Sequence, residues 1–429
     1  GTESEYRGFR RDSPAAAQRL CHVLSNSRFL GDALNKSVES VTWLGNDEEL
    51  KPRTRESLDI QTKAALERNA GSISDFANSV RVMRRHEIER IGLAWMSGVT
   101  DDATSLAGMT DVYDAIIEAS LRWAIRHQLD EMRFDEAPAA ITVIGMGRYG
   151  GREVNFSSDA DVIIIYRPTE EADDGQANLF ARKVQEDLRA ILQGPTTFEP
   201  KIELDMDLRP EGKNGPLVRS YASCEEYYRS WASTWEHQAL LRARHAAGDV
   251  ALAEDFLVNI ADPLRYPKTD LTETQIAEIR KLKARMEAER LPRGVRRERH
   301  LKLGKGGLSD VEWTIQLLQL QHAGENANLC VNGTLKALDE LERRRLIDAG
   351  DAVILRKAWR MCTAARNGSY LWSGRVNQAD ILPDDTYSLG GIAVYLGYDA
   401  NRGQHFENDL LAVMRKSRDV MERLFYGRA

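Results

Sequence analysis

The sequence predicts an α+β protein in which a small mixed sheet core is flanked by N-terminal helices and a C-terminal helical bundle. Three observations carry this. Residues 14–130 and 221–429 space their apolar residues mostly as helices do. Between them, Ile141-Thr142-Val143-Ile144 and Val162-Ile163-Ile164-Ile165-Tyr166 are short β-branched runs suited to buried strands. Further on, Lys201 to Arg209 alternates apolar and charged residues. With 429 residues, 42% of them apolar, the chain has material for about two or three domains. The divisions read from these patterns are a helical extension (1–135), a sheet core (136–220), a helical segment completing that core (221–300) and a bundle (301–429).

In the N-terminal region, Ser13-Pro14 is a helix start, with serine as the cap and proline at the first position. Pro52 interrupts the chain before a helix near 54–69. Ser72 to Met96 carries a broad apolar face. Its Arg81, Arg84, Arg85, Glu87, Glu89 and Arg90 are expected to form a solvated face. Thr110 to Leu129 is predicted as another helix, and the whole segment is expected to pack on the sheet.

In the core, the two apolar strands are followed by an acidic loop (Pro168 to Gly175) and a helix over 176–193, with Leu179, Val184, Leu188, Ile191 and Leu192 inward. The alternating strand comes next, then a tight turn at Glu211 to Gly215 and a short strand at Pro216 to Arg219. Helices are expected on one side of the sheet.

Beyond 221, helix-like stretches reach His245, with Trp231 and Trp235 as i, i+4 neighbours in packing, and with Arg242 and Arg244 free to turn toward a ligand. Pro263 and Pro267 mark a loop, and Thr272 to Arg290 is a charged amphipathic helix. Leu291 to His300 is the one basic run. It is read as an exposed linker, with a phosphate or acidic-partner contact as the alternative. Leu303 to Leu308 turns into a helix whose early Asp310 and Glu312 suit its dipole. Four more helices are predicted near 334–346, 350–368, 387–396 and 404–425.

The chemistry concentrates in Ile141 to Tyr166. Gly145-Met146-Gly147-Arg148-Tyr149-Gly150 lets the backbone turn tightly and approach a ligand. Asp159 and Asp161 stand where the second strand begins, two apart and so on one face. Side-by-side carboxylates repel unless a cation or proton lies between them, and a hard divalent ion beside phosphate oxygens suits them. On the alternating strand Glu203, Asp205, Asp207 and Arg209 share a face. Two acids from one strand and one from its neighbour can hold two metal ions around a phosphoryl centre. The glycines also match the dinucleotide-binding fingerprint. That fingerprint wants its acid after the next strand, and here the acids precede it.

The run from Gly145 to Asp161 resembles the signature of glutamine synthetase adenylyltransferases, members of the polymerase β-like nucleotidyltransferase superfamily. Asp205 to Ser220 and Leu303 to Gln316 resemble two further blocks of that family. The blocks look most like the C-terminal, adenylylating half of an actinobacterial member. The resemblance implies a polymerase β-like fold and a metal-dependent transfer of AMP from ATP to a tyrosine of glutamine synthetase, under control by a PII-type signal protein. For that chemistry Asp159, Asp161 and Asp205 are read as binding two Mg²⁺, with Mn²⁺ as a substitute, Gly147 and Gly150 as cradling phosphate oxygens, Ser158 as bonding one, and Arg148 and Arg209 either as neutralising charge there or as surface or strand-face residues. Ser158 has an equal reading as a turn cap. Many members carry Arg where this chain has Asp207, which is read either as sharing the metal or as offsetting Arg209. The alternatives kept open are the deadenylylating, phosphorolytic half, a silent nucleotide- or PII-binding module and, most weakly, a nicotinamide-binding protein.

Composition narrows the classes. A net charge of −7 is unlike the basic excess of a general nucleic-acid binder. No apolar run nears the roughly 20 residues that span a bilayer. Cys21, Cys224, Cys330 and Cys362 are scattered, as expected of reduced thiols in a cytoplasmic protein. The eight histidines form no zinc-type spacing.

Overall fold

A computed structural model describes residues 14–195, 201–291, 294 and 296–428. Ser13 and parts of the basic run lie outside them.

The N-terminal helices are α1 (Pro14–Asn26), α2 (Arg28–Lys36), α3 (Arg55–Arg68), α4 (Ile73–Met96) and α5 (Asp102–Met132). Their starts follow capping chemistry. Thr54, Ser72 and Asp101 each accept a backbone N–H of the first turn. The sheet comprises β1 (Ala139–Gly145), β2 (Ala160–Pro168), β3 (Leu204–Asp205), β4 (Val218–Ser220) and β5 (Arg244–Gly248), with α6 (Asp174–Gln193), α7 (Tyr221–Ser230) and α8 (Thr234–Leu240) between them. After it come α9 (Glu273–Glu289), α10 (Leu308–His322), α11 (Thr334–Arg343), α12 (Ala349–Ser373), α13 (Thr386–Tyr395) and α14 (Gly403–Leu424).

Among the described residues the sheet runs β3-β2-β1-β5, with β4 also paired to β2. β1 is antiparallel to β2 and β5, whereas β3 and β4 are parallel to β2. A Rossmann crossover needs its first two strands parallel, so the antiparallel β1–β2 pair removes the dinucleotide reading.

Helices cover both faces, not one. Ile141, Val143, Val162 and Ile164 join the core under α4, α5 and α6. Ile144, Ile163 and Ile165 point the other way, onto Cys224, Tyr228, Leu240 and Phe256. The unbroken apolar runs of β1 and β2 are the signature of strands buried on both sides. The bundle has its own core through α10–α14. A smaller cluster, with Ile279, Leu317 and Met421, ties α9 to α10 and α14.

Other expectations are corrected. Of the six α4 charges read as a solvated face, five are buried and Arg85 stays partly exposed. Arg81 and Glu89 are fully buried, and Arg84, Glu87 and Arg90 nearly so. Arg81 donates from Nε to the Ile191 carbonyl (2.9 Å) and from Nη1 to that of Gly194 (2.9 Å), capping the end of α6. Leu179 is exposed, because α6 turns that position outward. The predicted 236–245 helix stops at Leu240, and Arg244–Gly248 pairs with β1 as a fifth strand. Trp231 closes α7 and is 74% exposed, while Trp235 belongs to α8, so they are not packed neighbours on one helix. The alternating strand keeps only Leu204–Asp205 before the chain turns. Asp310 is no simple cap: it is 1% exposed and accepts from Lys283 Nζ (2.6 Å), Arg418 Nη1 (2.9 Å) and the Gly306 amide (2.7 Å). No helix among the described residues is long and apolar enough to cross a membrane.

Candidate active site

The glycine turn is fastened to the sheet by its backbone: the Met146 amide donates to the Asp161 carbonyl at 2.8 Å. Gly147 takes φ +52°, a left-handed conformation that favours glycine. A Cβ there would also overlap the Asp161 Oδ2. The turn is therefore shaped around that carboxylate. The Gly150 amide does not face outward as a phosphate cradle requires. It donates to the Met146 carbonyl, and a Cβ at Gly150 would strike the Arg242 and Gly145 carbonyls, so close packing explains this glycine.

Asp161 lies opposite Asp205 in the parallel β2–β3 register. Cross-strand neighbours share a face at about 5 Å, and Asp159 precedes Asp161 by two residues. Burial pushes the Asp161 carboxyl up to about 7, and the charges of Asp159 and Asp205 push it the same way. Lys302 and Arg148 pull it down without prevailing. No hydrogen-bond donor of the described residues reaches the Asp161 carboxylate. The Asp205 Oδ1 accepts the Asp207 amide at 2.7 Å. A cavity of about 510 Å³ opens here, lined by Asp159, Asp205, Asp207, Arg209 and Lys213.

The three acids are hard oxygen donors, mutually repelling and short of cationic partners, and in donor chemistry they fit divalent cations. The fit does not extend to a closed coordination sphere: among the described residues no three His, Cys, Asp or Glu side chains stand close enough to hold one ion.

The remaining sequence-derived residues fall into two groups. Arg148 lies at the site. Its Nη2 binds Glu312 Oε1 of α10 at 2.6 Å, while Nε and Nη1 are buried without hydrogen-bond partners. Ser158 and Arg209 are occupied by local structure. Ser158 Oγ donates to Asn155 Oδ1 (2.7 Å) and accepts the Asn155 amide (3.0 Å), which is the turn-capping role. Arg209 donates to the carbonyls of Gly215, Met206 and Lys213. It pulls residues 206–215 into a closed turn, which is why the alternation ends after Asp205. Asp207 consequently leaves the strand and pairs with Lys213 at 3.3 Å. Arg242 and Arg244 are likewise structural. Arg242 binds the Asn332 carbonyl and Thr334, and Arg244 binds Asp114 (2.8 Å).

Sequence reasoning missed the basic groups that the bundle supplies. Lys302 acts on Asp161 from the turn before α10. Arg366, on α12, pairs with Asp380 and reaches toward Ser157 Oγ (3.5 Å), leaving Nη1 unpartnered. Its one signal is a charge on an otherwise apolar helix face, four residues after buried Cys362. Glu312 is held below the usual carboxylate range although burial opposes this, because Arg148, Arg242, Lys302 and Arg366 surround it.

A glycine turn between antiparallel strands, two carboxylates at the start of the second strand and a third on its parallel neighbour define an α+β nucleotidyltransferase fold. Residues 17–259 match the family model described as glutamate-ammonia ligase adenylyltransferase. The chain belongs to that family. Residues 276–425 match a model described as GlnD PII-uridylyltransferase. Among curated proteins, the bifunctional glutamine synthetase adenylyltransferase/adenylyl-removing enzyme of Bifidobacterium longum (strain DJO10A) is 78% identical over 428 residues, covering 100% of this chain and 40% of that protein. The enzymes of the same name from Leifsonia xyli subsp. xyli and Mycobacterium tuberculosis (strain CDC 1551 / Oshkosh) are 42% and 40% identical, covering 97% and 99% of this chain and 40% and 42% of theirs. The chain thus spans about 40% of the length of the curated relatives it matches.

Proposed function

We propose that the chain transfers AMP from ATP to a tyrosine hydroxyl of glutamine synthetase, releasing pyrophosphate. The observation that carries the reading is the Asp161–Asp205 register pair, with Asp159 beside it and the bare Gly147 against Asp161. In the reaction the tyrosine oxygen bonds to the α-phosphorus, the bond from that phosphorus to the pyrophosphate oxygen breaks, and the hydroxyl proton passes to solvent. Asp159, Asp161 and Asp205 would hold two Mg²⁺ ions, with Mn²⁺ as a substitute. Such ions, when bound, acidify the attacking hydroxyl and neutralise the triphosphate. Arg148 offers its unpartnered N–H groups to phosphate oxygens, and Lys302 adds charge from the bundle side. Arg209 and Ser158 serve as positioning residues that fix the loops carrying Asp205 and Asp159.

The relatives' name covers adenylyl removal as well as transfer. A second reading therefore uses the same carboxylates for attack of phosphate on tyrosyl-AMP, with release of ADP. The match of residues 276–425 to a PII-uridylyltransferase model supports testing a PII-type protein as a regulator.

The deciding experiment incubates the chain with Mg²⁺, α-labelled ATP and purified glutamine synthetase. Label on a tyrosine with pyrophosphate release supports transfer. ADP released from adenylylated synthetase plus phosphate, without labelling, supports the removing activity. Neither signal leaves the silent regulatory module.

A further inference from the structure

A second cavity, of about 400 Å³, opens beside Gly147 between α8, α9 and α10. We propose that this cleft receives the adenine base of the nucleotide and that Gln238 reads its 6-amino group; the proposal rests on the adenylyl-transfer reading.

Three observations support it. The cleft meets the reaction centre at Gly147, which lines it and also lies against the Asp161 carboxylate. A base lodged there places its triphosphate at the glycine turn. The walls combine flat and flexible apolar groups, Leu208, Trp235, Met286 and Trp313, which suit an aromatic heterocycle. The third is the polar group between them. Gln238 is 3% exposed. Its Nε2 donates to Gln316 Oε1 at 2.8 Å, which leaves Oε1 as the end without a partner. That Oε1 is buried and has no donor. A buried acceptor without a donor is costly, so a ligand N–H arriving there is favoured. Adenine carries an amino donor at the position where guanine carries an oxo acceptor. Gln238 therefore selects adenine over guanine, and against guanine it sets oxygen opposite oxygen.

The test measures binding of ATP, GTP and inorganic tripolyphosphate, each with Mg²⁺, to the whole chain by equilibrium dialysis. Gln238→Leu is expected to weaken ATP about tenfold and to leave tripolyphosphate unchanged, so that the preference for ATP over GTP collapses. Ala239, on the cleft wall, gives a second variant. Ala239→Phe fills the space and is expected to exclude both nucleotides but not tripolyphosphate, and it carries the test if Gln238→Leu does not fold. If wild type binds ATP and labels glutamine synthetase while both variants keep ATP affinity and preference, the base site is wrong and the transfer reading stands. An unchanged ATP affinity with a raised KM for glutamine synthetase would assign the cleft to the acceptor and overturn the proposal. If wild type binds no nucleotide, the transfer reading fails and the base site fails with it.

Discussion

A buried and a half-buried acid in this molecule are treated in opposite ways. Asp310, under the bundle, accepts from Lys283, Arg418 and the Gly306 amide, and Lys283 is itself 1% exposed. Asp161, at the start of β2, receives no hydrogen bond from the described residues and faces two further carboxylates. Burying a charge is expensive unless it is paired. At Asp310 the pairing is complete, and the turn is built to complete it: Gly306 has φ +75°, and a Cβ there would strike the Met414 carbonyl of α14. At Asp161 the cost stands, and its carboxyl rises to about 7. A charge compensated on every side belongs to the scaffold, whereas one left uncompensated beside a cavity is available to a ligand.

Asp161→Asn separates the two cases most strongly. Loss of one ligand charge should cost about 4 kcal/mol of transition-state stabilisation, roughly a thousandfold in labelling rate. Because the substitution removes repulsion from Asp159 and Asp205, the melting temperature at pH 8 should rise. Labelling at the wild-type rate would end the assignment of Asp161, and a lower melting temperature would show that its charge is structural after all.

Asp310→Asn should do the reverse. It leaves Lys283 and Arg418 with only Glu287 as a shared partner (2.7 and 2.9 Å). Breaking such a buried pair costs roughly 3–5 kcal/mol, read as a lower denaturation midpoint. Under conditions where the variant remains folded, its labelling rate should lie within a few-fold of wild type. A stability within 1 kcal/mol or so of wild type would remove the scaffold half of the comparison.

The same contrast explains what could be read from the sequence. The glycine turn and the Asp159/Asp161 pair were legible because their signals are local: glycines where the backbone must turn, acids two apart at a strand start. The fifth strand was not, because Arg244-His245-Ala246-Ala247-Gly248 has no β-branched residue and is a strand only through its pairing with β1. The charges of α4 were misread because periodicity cannot distinguish a solvated charge from one whose partner comes from afar. Arg81 finds its carbonyls 110 and 113 residues away. Arg366 and Lys302 escaped for the same reason. The third acid lies between these cases. Alternation identified Asp205, but also kept Glu203 and Asp207 in a strand that the Arg209 turn cuts to two residues.

Glu89 tests whether an unpaired buried acid can be structural. Neither of its carboxylate oxygens accepts a well-formed hydrogen bond, although the nearby Ser40 hydroxyl pulls its carboxyl down, and it lies on α4 away from the acids of the sheet. Burial is the main cause that lifts its carboxyl to about 7. The fold thus holds the proton that the unfolded chain gives up near 4.5. Stability should fall as pH rises from about 4.5 to about 7 and stay low above that, by up to about 3 kcal/mol from this group. Glu89→Gln should remove that slope, stabilise the protein at pH 8 and leave labelling unchanged, as read by chemical denaturation at several pH values. An unaltered slope would mean that Glu89 is charged in the fold. A loss of labelling would bring it into the functional class with Asp161.

The smallest expected effect concerns Ser158, which stands next to the acids but by its contacts belongs to the scaffold. Its hydroxyl is held from both sides by Asn155. Its own carbonyl accepts the Tyr113 hydroxyl (3.0 Å), which in turn accepts Arg84 Nη2 (3.0 Å), so the loop carrying Asp159 is moored to α4 and α5. Ser158→Ala should cost about 1 kcal/mol of stability and lower labelling by about threefold at most, through slightly greater freedom of that loop. A fall of tenfold or more with an unchanged melting temperature would reverse the assignment, because a hydroxyl confined to a turn cannot affect transfer without affecting the turn.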